Sequence, residues 1–215
     1  MSSPYQEHDI TLASFAQIAK EIGSHSFNEA EYAVLRRIIH TTADFEFIEL
    51  LRFAHQPFEA AIAALSQNQP IVTDVSMVAA GIKTVASRTW QPPILTAVTR
   101  KKAAAVGQTR SAAGIKQCAS EYPGAIYAIG NAPTALLALC DGVKRGLYQP
   151  ALIVATPVGF INVVESKQAL SELCIPHILV TGRKGGSTVA AAIINALMIW
   201  AWNQSDSRLD NRSSN

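Results

Sequence analysis

The chain has 215 residues, 49% of them apolar and 16% charged, with a formal net charge of +2. That length supports one domain with a sizeable core, and the composition excludes a disordered chain or a coiled coil. With no basic run longer than "RKK" at Arg100 to Lys102, bulk positive charge for nucleic acid is excluded too, so any anionic partner is met by individual side chains.

The N-terminal stretch "MSSPYQEHDI" lacks the basic and apolar regions of a secretory signal. Three widely spaced cysteines, Cys118, Cys140 and Cys174, encode neither a disulfide framework nor a zinc site of CxxC type. Both observations lead us to expect a cytoplasmic protein.

Apolar residues at Phe15, Ile18, Ala19 and Ile22 keep helical spacing and predict a first amphipathic helix over 10–22. In "SFNE", Ser26 and Glu29 fit a capping box opening a second helix, whose stripe of Ala30, Val34 and Ile38 ends at His40. Pro57 suits the first turn of a third helix running through "FEAAIAALSQ". From there short apolar runs alternate with helical ones: "PIVTDV" (70–75), "PILTAV" (93–98), "AIYAIG" (125–130), "ALIVAT" (151–156) and "HILVT" (177–181). Runs without period-2 alternation are expected of strands covered on both faces. The predicted fold is α/β, a three-layer sandwich with a mainly parallel sheet of about five strands. "TVAAAIINALMIWAW" (188–202) is fifteen residues long. Spanning a bilayer takes about twenty, so this is a core helix and no membrane partner is expected. The polar residues 203–215 are expected to be a disordered tail behind a single domain of 1–202.

In open parallel sheets ligands lie beyond the carboxyl ends of the strands. What leaves those ends here is small, polar or glycine: Asp74 and Ser76, Thr96 and Thr99, then Gly130, Asn131 and Pro133, then "TPVGF" (156–160) and "TGRKGGST" (181–188). The last of these, with Gly185 and Gly186 before a long helix, is either an anion cradle or a glycine turn with an N-cap at Ser187; it is neither a P-loop nor a dinucleotide fingerprint. Asn131 is either a site amide or a helix cap. Arg110, in alanine-rich surroundings, either grips a carboxylate or is a solvated surface residue. His40 at a helix C-terminus is either a proton donor, since helix carbonyls favour imidazolium, or a cap on those carbonyls. None of the five histidines has a cysteine or histidine at ligand spacing, so no metal is expected.

Taken together, "RRIIHTT" (36–42), "PIVTDVSMVAAGI" (70–82), "GQTRSAAGIK" (107–116), "AIGNAPTAL" (128–136), "ATPVGFINVVESK" (155–167) and "TGRKGGSTVAAAIINAL" (181–197) resemble the precorrin-8X methylmutase family, also known as cobalt-precorrin-8 methylmutase. The resemblance implies an isomerase of cobalamin biosynthesis that moves a methyl group from C-11 to C-12 of a tetrapyrrole-derived polycarboxylate, giving hydrobyrinate or its cobalt-containing counterpart. It implies no cofactor, and a homodimer with its sites near the subunit interface. By motif, His40 matches the family's catalytic histidine and Arg37 the arginine one turn before it. Arg110 suits a second substrate carboxylate, and Ser14 resembles a substrate-contacting serine. Asp74, Asn131, Gly185 and Gly186 belong to matching motifs and are carried as substrate-binding candidates. One departure is Ala43, where many relatives are expected to have glycine. Competing readings are a corrinoid carrier and an α/β enzyme of a phosphorylated metabolite using "GRKGGST".

Overall fold

A computed structural model describes residues 5–100 and 106–212, with side chains to residue 205. Part of the "RKK" run and the last three residues of the polar tail lie outside the described residues. The elements run α1 (Asp9–Ile22), α2 (Glu29–Thr42), α3 (Phe47–Leu50), β1 (Leu51–Ala54), α4 (Pro57–Ser66), β2 (Ile71–Thr73), α5 (Ser76–Arg88), β3 (Ile94–Thr96) and α6 (Ala97–Arg100). They continue with α7 (Arg110–Glu121), β4 (Ile126–Ile129), α8 (Pro133–Lys144), β5 (Leu152–Ala155), α9 (Val163–Ser171), β6 (His177–Val180) and α10 (Ser187–Arg212).

All five predicted strands form, and a sixth, β1, adds an edge, giving the order β1-β6-β5-β4-β2-β3. β1 pairs antiparallel with β6, Leu51 opposite Val180 and Ala54 opposite His177, while every other pair is parallel. "LRFA" carries no turn signal before it and is too short to show a period, so only its partner β6 makes it a strand.

Alternate strand residues enter two separate cores, as the pleat requires. Ile126, Ala128, Leu152, Val154, Ile178 and Val180 join the core built by α1, α2, α4, α5 and α10. Tyr127, Ile129, Ile153, Ala155 and Leu179 join the core built by α7, α8 and α9. Sheet and two helical layers make the predicted sandwich.

Apart from Asn195, whose amide donates to the Gly81 carbonyl at 3.0 Å, α10 is apolar all round between Val189 and Met198, which suits a helix enclosed by others. It lies against α2, α4 and α5, and among the described residues no helix is long and apolar enough to cross a membrane. This helix continues through the polar residues after 202 to Arg212. Residues 203–212 contain neither proline nor glycine, and extending a helix from a well-packed stem avoids the cost of nucleation. Two caps also differ from expectation. The capping box of α2 is Asn28 with Glu31, two residues later than Ser26 and Glu29. The N-cap of α8 is Ala132, without a side-chain hydrogen bond, so Asn131 is not the cap.

Candidate functional site

The strand order reverses between β2 and β4, because the chain leaves β2 toward β3 on one side and reaches β4, β5 and β6 on the other. In doubly wound sheets this crevice receives the ligand. Here a side chain of the protein fills it. Asp74, fully buried just after β2, accepts at Oδ1 from the Gly130 amide at 3.0 Å. Its Oδ2 accepts from the amides of Asn131 at 2.8 Å and Ala132 at 2.7 Å. Burial holds the Asp74 carboxyl above the ordinary aspartate range, with these amides opposing the shift. Asp74 therefore fastens the turn into α8. Asn131 shares the turn through its backbone while its residue surface is exposed.

His40 lies in the last turn of α2 and is exposed. Its ring stands edge-on to Phe15 of α1, with centroids 5.4 Å apart. Together α1 and the end of α2 border an open cleft of about 660 Å³, in which Ser14, Gln17 and Glu21 supply polar groups and Ile10, Ile39 and Phe45 an apolar wall. Ser14, with its Oγ donating to the Ile10 carbonyl at 2.8 Å, borders the same cleft as His40. The helix closes at Ala43, whose φ of 53° and ψ of 28° are left-handed, and whose amide donates to the Ile39 carbonyl at 2.7 Å. This is the conformation that glycine adopts without strain.

Arg37 does not face the same cleft. Its guanidinium pairs with Glu7 of the N-terminal segment and lines a second recess, of about 290 Å³, with Arg36, Tyr32 and Trp200. Phe15 separates the two hollows: the Arg37 guanidinium lies 5.6 Å from its ring centroid and that of Arg36 4.2 Å. Arg37 thus meets Phe15 as His40 does, while its guanidinium is engaged by a partner thirty residues away in the chain.

Arg110 opens α7, where Thr109 caps the helix by accepting from the Ala112 amide at 3.2 Å. It is exposed, with Nη2 donating to the Val98 carbonyl at 2.9 Å. The Thr109 and Thr134 hydroxyls, 2.8 Å apart, join this corner to α8.

Gly185 and Gly186 have φ of 146° and 123°, and a Cβ on Gly185 would lie 2.3 Å from the Thr156 carbonyl oxygen, so only glycine fits there. The Gly186 amide donates to that same carbonyl at 2.7 Å. Lys184 reaches across to the end of α2, its Nζ 2.6 Å from Asp44 Oδ2 and 2.8 Å from Glu46 Oε2. The glycine-rich segment and the His40 turn are thereby adjacent. Sequence reasoning did not single out Phe15 as a site residue; the aromatic at the centre of an N-terminal amphipathic helix reads as ordinary core.

The sequence profile of the family described as precorrin-8X methylmutase matches residues 9–200. The chain is 47% identical over 212 residues to the cobalt-precorrin-8 methylmutase of Synechocystis sp., covering 92% of this chain and 98% of that protein. It is 36% identical to the cobalt-precorrin-8 methylmutase of Priestia megaterium, covering 91% and 89%. The crystal structure of precorrin-8X methyl mutase from Thermus thermophilus superposes with a TM-score of 0.85 at 37% identity, covering 91% of this chain and 96% of that one. A match of this extent in both sequence and backbone leaves one placement, and the chain belongs to the precorrin-8X methylmutase family.

Proposed function

We propose that the protein is the methyl-shifting isomerase of its family, acting on precorrin-8 or its cobalt-containing counterpart in cobalamin biosynthesis, with His40 as the proton donor and acceptor. A methyl group moves from C-11 to C-12 of the macrocycle, no atom is gained or lost, and the proton His40 gives is returned. The observation that carries this reading is the exposed His40 at the carbonyl end of α2, facing an open, largely apolar cleft. A flat macrocycle has an apolar body to lay against Ile10, Ile39 and Phe45.

The carboxylates around that body call for separate anchors. Ser14 borders the cleft, Arg110 stands at the corner of α7, and Gly185 and Gly186 precede α10, where the Gly186 amide is already held by the Thr156 carbonyl. Arg37 serves if Glu7 exchanges for a substrate carboxylate. A homodimer with sites near its interface brings a second wall to the open cleft. Exposed apolar residues beside the site support it: Phe160, Ile161 and Met77 are 85%, 80% and 65% accessible.

The test is an absorbance spectrum of wild type and His40→Asn incubated with enzymatically generated precorrin-8. We expect the corrin product in wild type and a turnover about 10²–10⁴ lower in the variant, with product affinity retained. A variant of normal rate removes His40 from the chemistry; binding without conversion by the wild type makes the protein a corrinoid carrier.

A further inference from the structure

Lys167, in the middle of α9, is 2% exposed. A buried ammonium is unfavourable unless acceptors face it. Among the described residues none of the carboxylates forms an ion pair with it. Its Nζ donates instead to the carbonyls of Gly182 at 2.8 Å and Lys184 at 2.7 Å. Burial pushes the ammonium down to about 8. A methionine would fill the same volume without that cost, so a lysine is explained by what it holds.

What it holds is a segment with unusual freedom. Gly182, Gly185 and Gly186 all have positive φ, and glycines sample many conformations that other residues do not. Two carbonyls fixed on one ammonium select one of these. The selected one directs Lys184 to Asp44 and Glu46, and Asp44 follows Ala43, the left-handed residue that closes α2 just after His40. A continuous series of bonds thus runs from α9 through the glycine segment to the turn beneath His40.

We propose that Lys167 is a positioning residue for the reaction, holding the Gly182 and Lys184 carbonyls so that Lys184 fixes the end of α2 and the His40 ring. This rests on the reading of His40 given above. It acts through other groups and touches no reacting atom.

The experiment compares Lys167→Met, Lys167→Arg, Lys184→Met and the Lys167→Met/Lys184→Met double variant, each as the full chain. It measures kcat and KM with enzymatically generated precorrin-8, the thermal midpoint, and the imidazole resonances of His40. Because a small displacement of a reacting group lowers rate steeply, Lys167→Met is expected to lose about tenfold or more in kcat with KM changed less than about threefold. Lys167→Arg restores part of the rate. Lys184→Met falls in the same direction, the double variant is no worse than the poorer single one, and the His40 resonances shift in each Met variant. Lys184 is partly exposed, so its variant folds even if Lys167→Met does not. Unchanged kcat and unmoved His40 resonances in Lys184→Met, or a Lys167→Met loss confined to KM, overturn the proposal while an inactive His40→Asn keeps the histidine in the chemistry. An active His40→Asn overturns both.

Discussion

At the scale of single residues, Asp74 fastens the point where the strand order reverses. Its carboxylate already satisfies the amides that an open parallel sheet would otherwise offer at the reversal of strand order. Asp74→Ala leaves three amides without their acceptor, at about 1–3 kcal/mol for each that stays buried, so we expect urea unfolding to register a loss of at least about 3 kcal/mol. The pH dependence has a definite sign. Because burial raises the folded carboxyl above its unfolded value, the folded protein keeps that proton longer. Its contribution is complete below about pH 4 and is lost as the pH rises through the raised value, so the stability of wild type relative to Asp74→Asn should fall across that window. An unchanging difference between the two denaturation curves would show that Asp74 titrates as an ordinary surface carboxylate. The sequence marks Asp74 as a polar residue at a strand end, and that much holds. Which amides approach it depends on β4 arriving from more than fifty residues away, a long-range pairing that local spacing does not report. Arg37 is the same lesson in reverse, since its helix position was legible and its partner Glu7 was not.

At the scale of elements, close approach sets the positions of the helices around the site. α6 leaves β3 and turns at once into contact with α7, where a Cβ on Gly114 would lie 1.9 Å from the Ala97 carbonyl oxygen. A backbone atom has little room to yield. Gly81 of α5 is tight in a milder way, its Cβ falling 2.7 Å from the Ala191 Cβ of α10. Overpacking commonly costs about 1–3 kcal/mol, and we expect Gly114→Ala to reach or exceed the top of that range in thermal unfolding and Gly81→Ala to stay within it. Equal midpoints for the two variants would mean that the α6 backbone relaxes as readily as a side chain. The sequence pattern showed the parallel strands because each is a short, mostly apolar run, and four of the five are fully buried, β3 at the sheet edge being half-buried. It missed β1, whose exposure pattern gives four residues no repeat to read and whose strand character comes from β6 alone. The apolar run of α10 ends at Trp202, while its helix bounds run on to Arg212 through residues that include neither proline nor glycine.

At the scale of the whole molecule, the distribution of exposed apolar surface argues for a second subunit. Met77 opens α5 and Val158, Phe160 and Ile161 follow β5, so all four leave the carboxyl ends of strands, on the edge that carries the glycine segment. Phe160 lies against Arg183 of that segment, the guanidinium 5.7 Å from its ring centroid. Monomers seldom leave large contiguous apolar patches in water, and a stable interface buries about 800 Å² per partner around such residues. Charges at their centre should therefore separate the subunits. We expect wild type to sediment at twice the 23.0 kDa chain mass and a Phe160→Asp/Ile161→Asp variant at the single mass. Turnover should fall with the dimer, because an open cleft loses the wall that excludes water from the macrocycle, while far-ultraviolet circular dichroism stays that of the wild type. A variant that remains dimeric would move the interface elsewhere. A monomeric variant of full activity would mean that one chain closes its own site, and the apolar residues around Phe160 would then belong to the substrate alone.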